Sequence, residues 1–187
     1  PIDVKEEVLQ KMATPMIGHR GKDASMLQKS ISEKMQKLFY TNNTILLSTS
    51  SGTGLMEGSI RSCTSKKAAV FSCGSFGDRW YKMAVANNVP ADIFKVELGE
   101  ATTPEMVDKV LSTGEYDLIT VTHNETSTGI RNPIEEIGEV VKKYEDVIYC
   151  VDTVSSAGGI KVEVDKIGID ICITSVQKEI GRASCRE

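Results

Sequence analysis

Long apolar runs are missing from this chain of 187 residues. The longest, such as Ile45–Leu47 and Val147–Val151, are strand-sized and fall far short of the roughly 20 residues a membrane helix needs. No membrane partner is therefore expected. The pattern of a secretory leader is absent too. There is no excess of basic charge: the formal net charge is -4, whereas contact with a phosphate backbone needs a basic stripe, so no nucleic-acid partner is expected. Histidine is scarce, with only His19 and His123, and the five cysteines (Cys63, Cys73, Cys150, Cys172, Cys185) contain no C-x-x-C pair. That excludes the usual zinc spacings, and no metal is expected. Three of the cysteines lie in apolar, strand-like runs and read as buried thiols, which fits a reducing, cytoplasmic location. No repeat and no low-complexity linker interrupts the chain.

What is present suffices for one globular domain. Hydrophobic residues make up 40% and charged residues 26%, too apolar for disorder and enough for a sizeable core. Helical and strand patterns alternate. Val4, Val8, Leu9 and Met12 fall on one face of a short helix, and Leu27, Ile31, Met35 and Leu38 on one face of a second. A strand is predicted at Ile45–Thr49, followed by a serine- and glycine-rich turn at Ser50–Gly54 and a helix through Leu55–Arg61. Strand Ala68–Cys73, helix Phe76–Ala86 and strand Ile93–Leu98 follow. Thr103-Pro104 reads as an N-cap with proline in the first helical position, and Gly114 as the stop. Strand Asp117–Thr122, a helix opening at Asn132-Pro133, strand Val147–Asp152 and strand Asp170–Ser175 complete the run. Such alternation predicts an α/β fold, a mostly parallel sheet with helices on both faces, and ligands bind such sheets beyond the carboxyl ends of the strands.

Both ends read as interrupted. The chain begins at Pro1, already close to a helical pattern. Residues 179–187 carry no amphipathic period, and the run from Ile180 back-translates to a sequence resembling a sequencing adapter. The expected organisation is a fragment of one domain over 1–178 with a non-native tail over 179–187.

Three strand ends carry three chemical tools. Ser50-Ser51-Gly52-Thr53-Gly54-Leu55-Met56-Glu57 is a strand-to-helix turn whose amides could cup a phosphate, or simply a tight turn. It is neither a P-loop nor G-x-G-x-x-G, since Glu57 stands where the third glycine belongs. Asp152 ends a buried apolar run, where a carboxylate needs a donor or cation; the alternative is an N-cap. Lys178 follows Ile171–Gln177, where an isolated lysine could equally be a solvated loop residue. Pyridoxal phosphate (PLP) needs all three: an anion site, a carboxylate facing its ring nitrogen, and a lysine.

The chain resembles the class V aminotransferases of PLP fold type I, the group of alanine–glyoxylate and serine–pyruvate aminotransferases. The resemblance covers essentially Pro1 to Lys178. It rests on Pro15–Arg20, Ser51–Glu57, Gly74-Ser75-Phe76-Gly77-Asp78-Arg79-Trp80, His123-Asn124-Glu125-Thr126-Ser127-Thr128-Gly129, Val151–Ser156 and Ser175-Val176-Gln177-Lys178. It implies a three-layer α/β/α large domain, here incomplete. It implies that Lys178 is the Schiff-base lysine and Asp152 the partner of the pyridine nitrogen. Phe76 would stack on the ring, Thr53, Gly54 and Leu55 would form the phosphate cup, and Thr126 and Gln177 would bond the ring's phenolic oxygen. His19 and Arg20 would hold an acidic group of the substrate, or form a structural pair. His123 is expected to position the Asn124–Gly129 turn, and Glu57, Asp78 and Arg79 to serve as helix-terminal and ion-pair residues. The implied reaction moves an amino group from a small amino acid (alanine, serine or aspartate-like) to a 2-oxo acid such as glyoxylate or pyruvate, in a homodimer. Without the residues that follow Lys178 in that family, the fragment alone is expected to be inactive. Cysteine desulfuration or another lyase chemistry, and a non-catalytic phosphate-binding α/β domain, are the alternatives.

Overall fold

The computed structural model describes residues 4–178. The expected tail over 179–187, with Cys185, lies outside the described residues.

Five strands form one all-parallel sheet in the order β2-β1-β3-β6-β7: β1 Ala68–Ser72, β2 Ala91–Lys95, β3 Leu118–Thr122, β6 Ile148–Asp152 and β7 Ile171–Ile173. Side chains alternate across it with the period of two that a strand imposes. Ala68, Val70, Leu118, Cys150 and Ile173 face one core, with Met56 and Ile60 of α3 (Gly52–Cys63) and Trp80, Met83 and Ala84 of α4 (Ser75–Ala86). Ala69, Phe71, Ile119, Val121, Tyr149 and Val151 face the other. There α5 (Pro104–Leu111), α6 (Ile134–Val141) and the short α7 (Val164–Ile167) cover them, with Phe39 from the end of α2 (Lys22–Phe39). The three-layer α/β/α sandwich expected from the alternation is therefore present. Central strands β1 and β3 are buried along their whole length, as a sheet covered on both faces requires.

Local signals set several boundaries. The Thr103 side chain accepts the Met106 amide at 3.2 Å, with Pro104 in the first turn. Beyond that helix Gly114 adopts φ +72°, which a side chain would strain. Asn132 opens no helix itself; buried, it ties three segments, accepting from the Thr102 amide and donating to the Thr122 carbonyl and the Cys73 thiol. The four described cysteines are free thiols, Cys73 and Cys150 buried and Cys63 and Cys172 partly so.

The amino-terminal quarter departs from expectation. Ile45–Thr49 forms no strand. A strand exists only by pairing, and the sheet ends at β7, which has no outer neighbour among the described residues. Leu46 is left 85% exposed. The expected apolar faces are only partly covered: α1 (Glu6–Met12) buries nothing, and in α2 Phe39 is buried and Met35 packs against the core while Leu27 and Leu38 stay exposed. The pattern did not reveal α7 or the two-residue antiparallel pair β4 (Asn124–Glu125) and β5 (Ile130–Arg131). No described helix is long and apolar enough to cross a membrane.

Candidate active site

The carboxyl ends of β1, β3, β6 and β7 meet the amino termini of α3 and α4 at one edge of the sheet. Asp152 is the last residue of β6, in register with Thr122 and Ile173 and on the α3/α4 face by parity with Cys150. It is 4% exposed. One carboxylate oxygen accepts the Val154 amide at 2.9 Å, its only hydrogen bond among the described residues, and no cation pairs with it. Burial pushes its pKa up to about 6; Glu125 pushes the same way, while the Val154 amide and Arg79 oppose it.

The start of α3 lies beside it, since a Cβ on Gly52 would come within 3.0 Å of Val154 and 3.7 Å of Ser175. Ser51 caps this helix: its hydroxyl accepts the Gly54 amide at 3.3 Å and its carbonyl the Leu55 amide at 3.2 Å. Of the three residues expected to form the cup, Gly54 and Leu55 thus spend their amides on the cap. The amides of Gly52 and Thr53 take no partner among the described residues, and these are the donors a helix start offers to an anion.

Phe76 lies in the first turn of α4 and is half-buried. Arg79, one turn on, lays its guanidinium 4.7 Å from the Phe76 ring centre and donates to the Thr53 hydroxyl at 3.1 Å. Arg79 was expected in an ion pair and makes none among the described residues. Asp78 does pair, with Lys95 at 2.8 Å, and Glu57 faces Arg61 at 3.6 Å. Arg79 therefore bridges the α3 cup and the aromatic face, a link that lay hidden in the sequence behind its acidic neighbour.

Thr126 is exposed in the turn between β4 and β5. Gln177 and Lys178 are exposed in the turn after β7; Gln177 accepts from Ser175, and the Lys178 amide donates to the Ser175 carbonyl at 3.3 Å. The structure therefore brings together Thr53, Phe76 and Asp152 at one corner, with Lys178 on the loop leaving the adjacent strand. His19 and Arg20 are not brought in: they sit in an exposed turn between α1 and α2, with no hydrogen bond or ion pair to the other candidates.

His123 is fully buried, with Nδ1 at 2.9 Å from the Ser156 hydroxyl and its pKa lowered, chiefly by burial. Its amide bonds the Asp152 carbonyl and its own carbonyl accepts from Asn132, so it holds the strand ends in place. Glu125 is the residue that sequence reasoning missed. It is fully buried and accepts from the Phe76, Gly77 and Ser127 amides and the Ser127 hydroxyl.

The arrangement can seat an anion at a helix start, present an aromatic face, and set an unpaired buried carboxylate against a cationic or protonated group. The family model described as aminotransferase class V matches residues 4–183. An uncharacterized aminotransferase of Methanocaldococcus jannaschii is 48% identical over 183 residues, covering 95% of this chain and 47% of the relative. A serine–glyoxylate aminotransferase of Methylorubrum extorquens is 28% identical over 185 residues, covering 95% and 46%. Among solved structures, alanine–glyoxylate aminotransferase from Nostoc sp. superposes with a TM-score of 0.90 at 27% identity, over 98% of this chain and 49% of that one. The chain thus spans about half the length of these relatives.

Proposed function

The chain belongs to the class V aminotransferase family, and from that premise we propose that the whole protein is a PLP-dependent aminotransferase with this corner as its cofactor site. The observation that carries the reading is Asp152, a buried carboxylate that among the described residues is held by one amide and paired with no cation. Such a group is costly unless something completes it, and a protonated pyridine nitrogen is a matching partner. The donor set fits the rest of the cofactor. The free amides of Gly52 and Thr53, with the Thr53 hydroxyl, would hold the phosphate, and the cap at Gly54 and Leu55 would fix their aim. Phe76 would cover one face of the ring, Thr126 and Gln177 would bond the phenolic oxygen, and Lys178 would supply the anchoring amine.

When bound, PLP supplies an electron sink for charge developing at a substrate's Cα. The chain's own residues then do the following. Lys178 Nζ, freed when the substrate's amine takes its place, would accept the proton from the substrate Cα and hand it back later in the reaction. Asp152 would hold the proton on the ring nitrogen. The Arg79 cation lies at the cup, where it favours a dianionic phosphate and opposes protonation of Asp152.

The substrate reading is a small amino donor, alanine, serine or aspartate-like, with glyoxylate or pyruvate as acceptor. Serine, alanine and glyoxylate are supported by the names of the Methylorubrum relative and the Nostoc structure. His19 and Arg20 would contact an acidic donor only if their turn folds over the site. A homodimer and a cytoplasmic setting complete the proposal.

The test is the whole protein assayed with PLP against a panel of these donors and acceptors, beside Lys178→Ala. Loss of turnover by about a thousandfold or more in the variant, with substrate binding retained, is the expected result. Turnover near that of the unmodified protein would contradict the role of Lys178, and absence of PLP uptake by the unmodified protein would contradict the reading as a whole.

A further inference from the structure

Helix α4 begins on Gly74, which has no side chain to cap it. Its first three amides are nonetheless all satisfied, and from about 50 residues away in sequence. The Ser75 amide donates to the Ser127 hydroxyl at 2.9 Å, and the Phe76 and Gly77 amides donate to Glu125 Oε2 at 3.0 and 2.9 Å. The Ser127 hydroxyl in turn donates to Glu125 Oε1 at 2.6 Å, and its amide does so at 3.3 Å. Thr128 adds a bond to the Cys73 carbonyl at 3.1 Å. The absence of a local cap has a steric cause: a Cβ on Gly74 would lie 2.5 Å from the Ser127 hydroxyl and 2.6 Å from Glu125 Cγ. Glu125 is fully buried with no cation against it among the described residues, so these donors and the positive end of α4 are what hold its charge.

Phe76 and Thr126 occupy the two ends of this joint. We propose that Glu125 is a positioning residue for the cofactor site. Its carboxylate locks the backbone of Phe76 to the β4–β5 turn that carries Thr126, and so sets the aromatic face and the phenolic-oxygen contact relative to each other. This rests on the functional reading above. The role follows from reach: a carboxylate on a two-carbon stem meets the α4 amides with one oxygen and its own turn with the other.

The experiment uses the whole protein and measures PLP affinity together with hydrogen exchange in the segment 73–78. Glu125→Ala should weaken PLP by about tenfold or more, the equivalent of one or two lost hydrogen bonds, and should speed exchange at Phe76 and Gly77 while β1, β3 and β6 stay protected. Glu125→Gln keeps the length and one carbonyl acceptor for the α4 amides, and its affinity should stay within about threefold of the unmodified protein. Glu125→Asp keeps the charge but loses the reach. It should be worse than Gln in both readouts, and this ordering decides the matter if the alanine variant does not fold. Fast exchange at Phe76 with unchanged PLP affinity, slow exchange at Phe76 in the alanine variant, or Asp outperforming Gln would each overturn the proposal. Failure of the unmodified protein to bind PLP would instead overturn the functional reading, and hydrogen exchange would still decide whether the carboxylate locks Phe76.

Discussion

Two carboxylates are buried at the same edge of the sheet, Glu125 beyond β3 and Asp152 at the end of β6. Glu125 accepts from three amides and a hydroxyl, and it sits at the start of a 12-residue helix whose dipole favours its charge. Asp152 accepts from one amide. Equal burial with unequal satisfaction separates a group that the fold completes from one that it leaves for a ligand. Arg79 stands between the two conditions, close enough to favour the ionised Asp152 but bonded to Thr53 instead.

The largest effect should come from stripping the satisfied carboxylate. Glu125→Ala leaves several buried donors without an acceptor and should lower stability by about 3–5 kcal/mol, read by denaturant unfolding. A loss below about 1 kcal/mol would mean that water replaces the carboxylate easily and that the contrast with Asp152 is false.

Asp152 should respond in the opposite direction. Its pKa is raised by burial to about 6, so the unfolded chain loses this proton from about pH 4 upward while the folded protein keeps it until about 6. Stability therefore falls as pH rises through that window. Asp152→Asn should make the cofactor-free protein about 3 kcal/mol more stable at neutral pH, with the gain fading toward pH 4, while transamination is largely lost. An amide that destabilises the free protein at neutral pH would show that Asp152 has a structural partner after all.

Phe76→Ala tests the corner between the carboxylates. Removing the aromatic face should weaken PLP by roughly 1–3 kcal/mol without altering the protection of Gly77. Unchanged affinity would assign Phe76 to packing. Ser127→Ala, the mildest change, removes one donor to Glu125 and the acceptor of the Ser75 amide, and should cost about 1 kcal/mol.

What could be read in the sequence divides along the same physical line. The sandwich was legible because its signals are local: alternating apolar strands, the Thr103 cap, and the carboxylate at the end of an apolar run. Glu125 was not legible, because a glutamate between Asn124 and Thr126 looks solvated, and its helix donors lie 48 and 49 residues away. The glycine at 74 was its only trace, and it marks a close approach without naming what approaches. Ile45–Thr49 failed for the converse reason. Its pattern is that of a strand, but strand formation needs a neighbour, and the described sheet supplies none there. The exposed face of α1, the exposed Leu27 and Leu38 of α2 and the exposed Leu46 follow the same rule: periodicity specifies which face is apolar, not what covers it.

The central claim is that Asp152 is left incomplete by the fold and completed by PLP. Carbon NMR of the Asp152 carboxyl group in the whole protein, titrated with and without PLP, tests it directly. Without PLP the group should titrate near pH 6, set by burial and Glu125 against Arg79 and the Val154 amide. With PLP bound it should stay ionised from about pH 5 to 8, because a protonated ring nitrogen favours the charged form. A titration that remains near pH 6 with PLP bound would contradict the pairing and the account built on it.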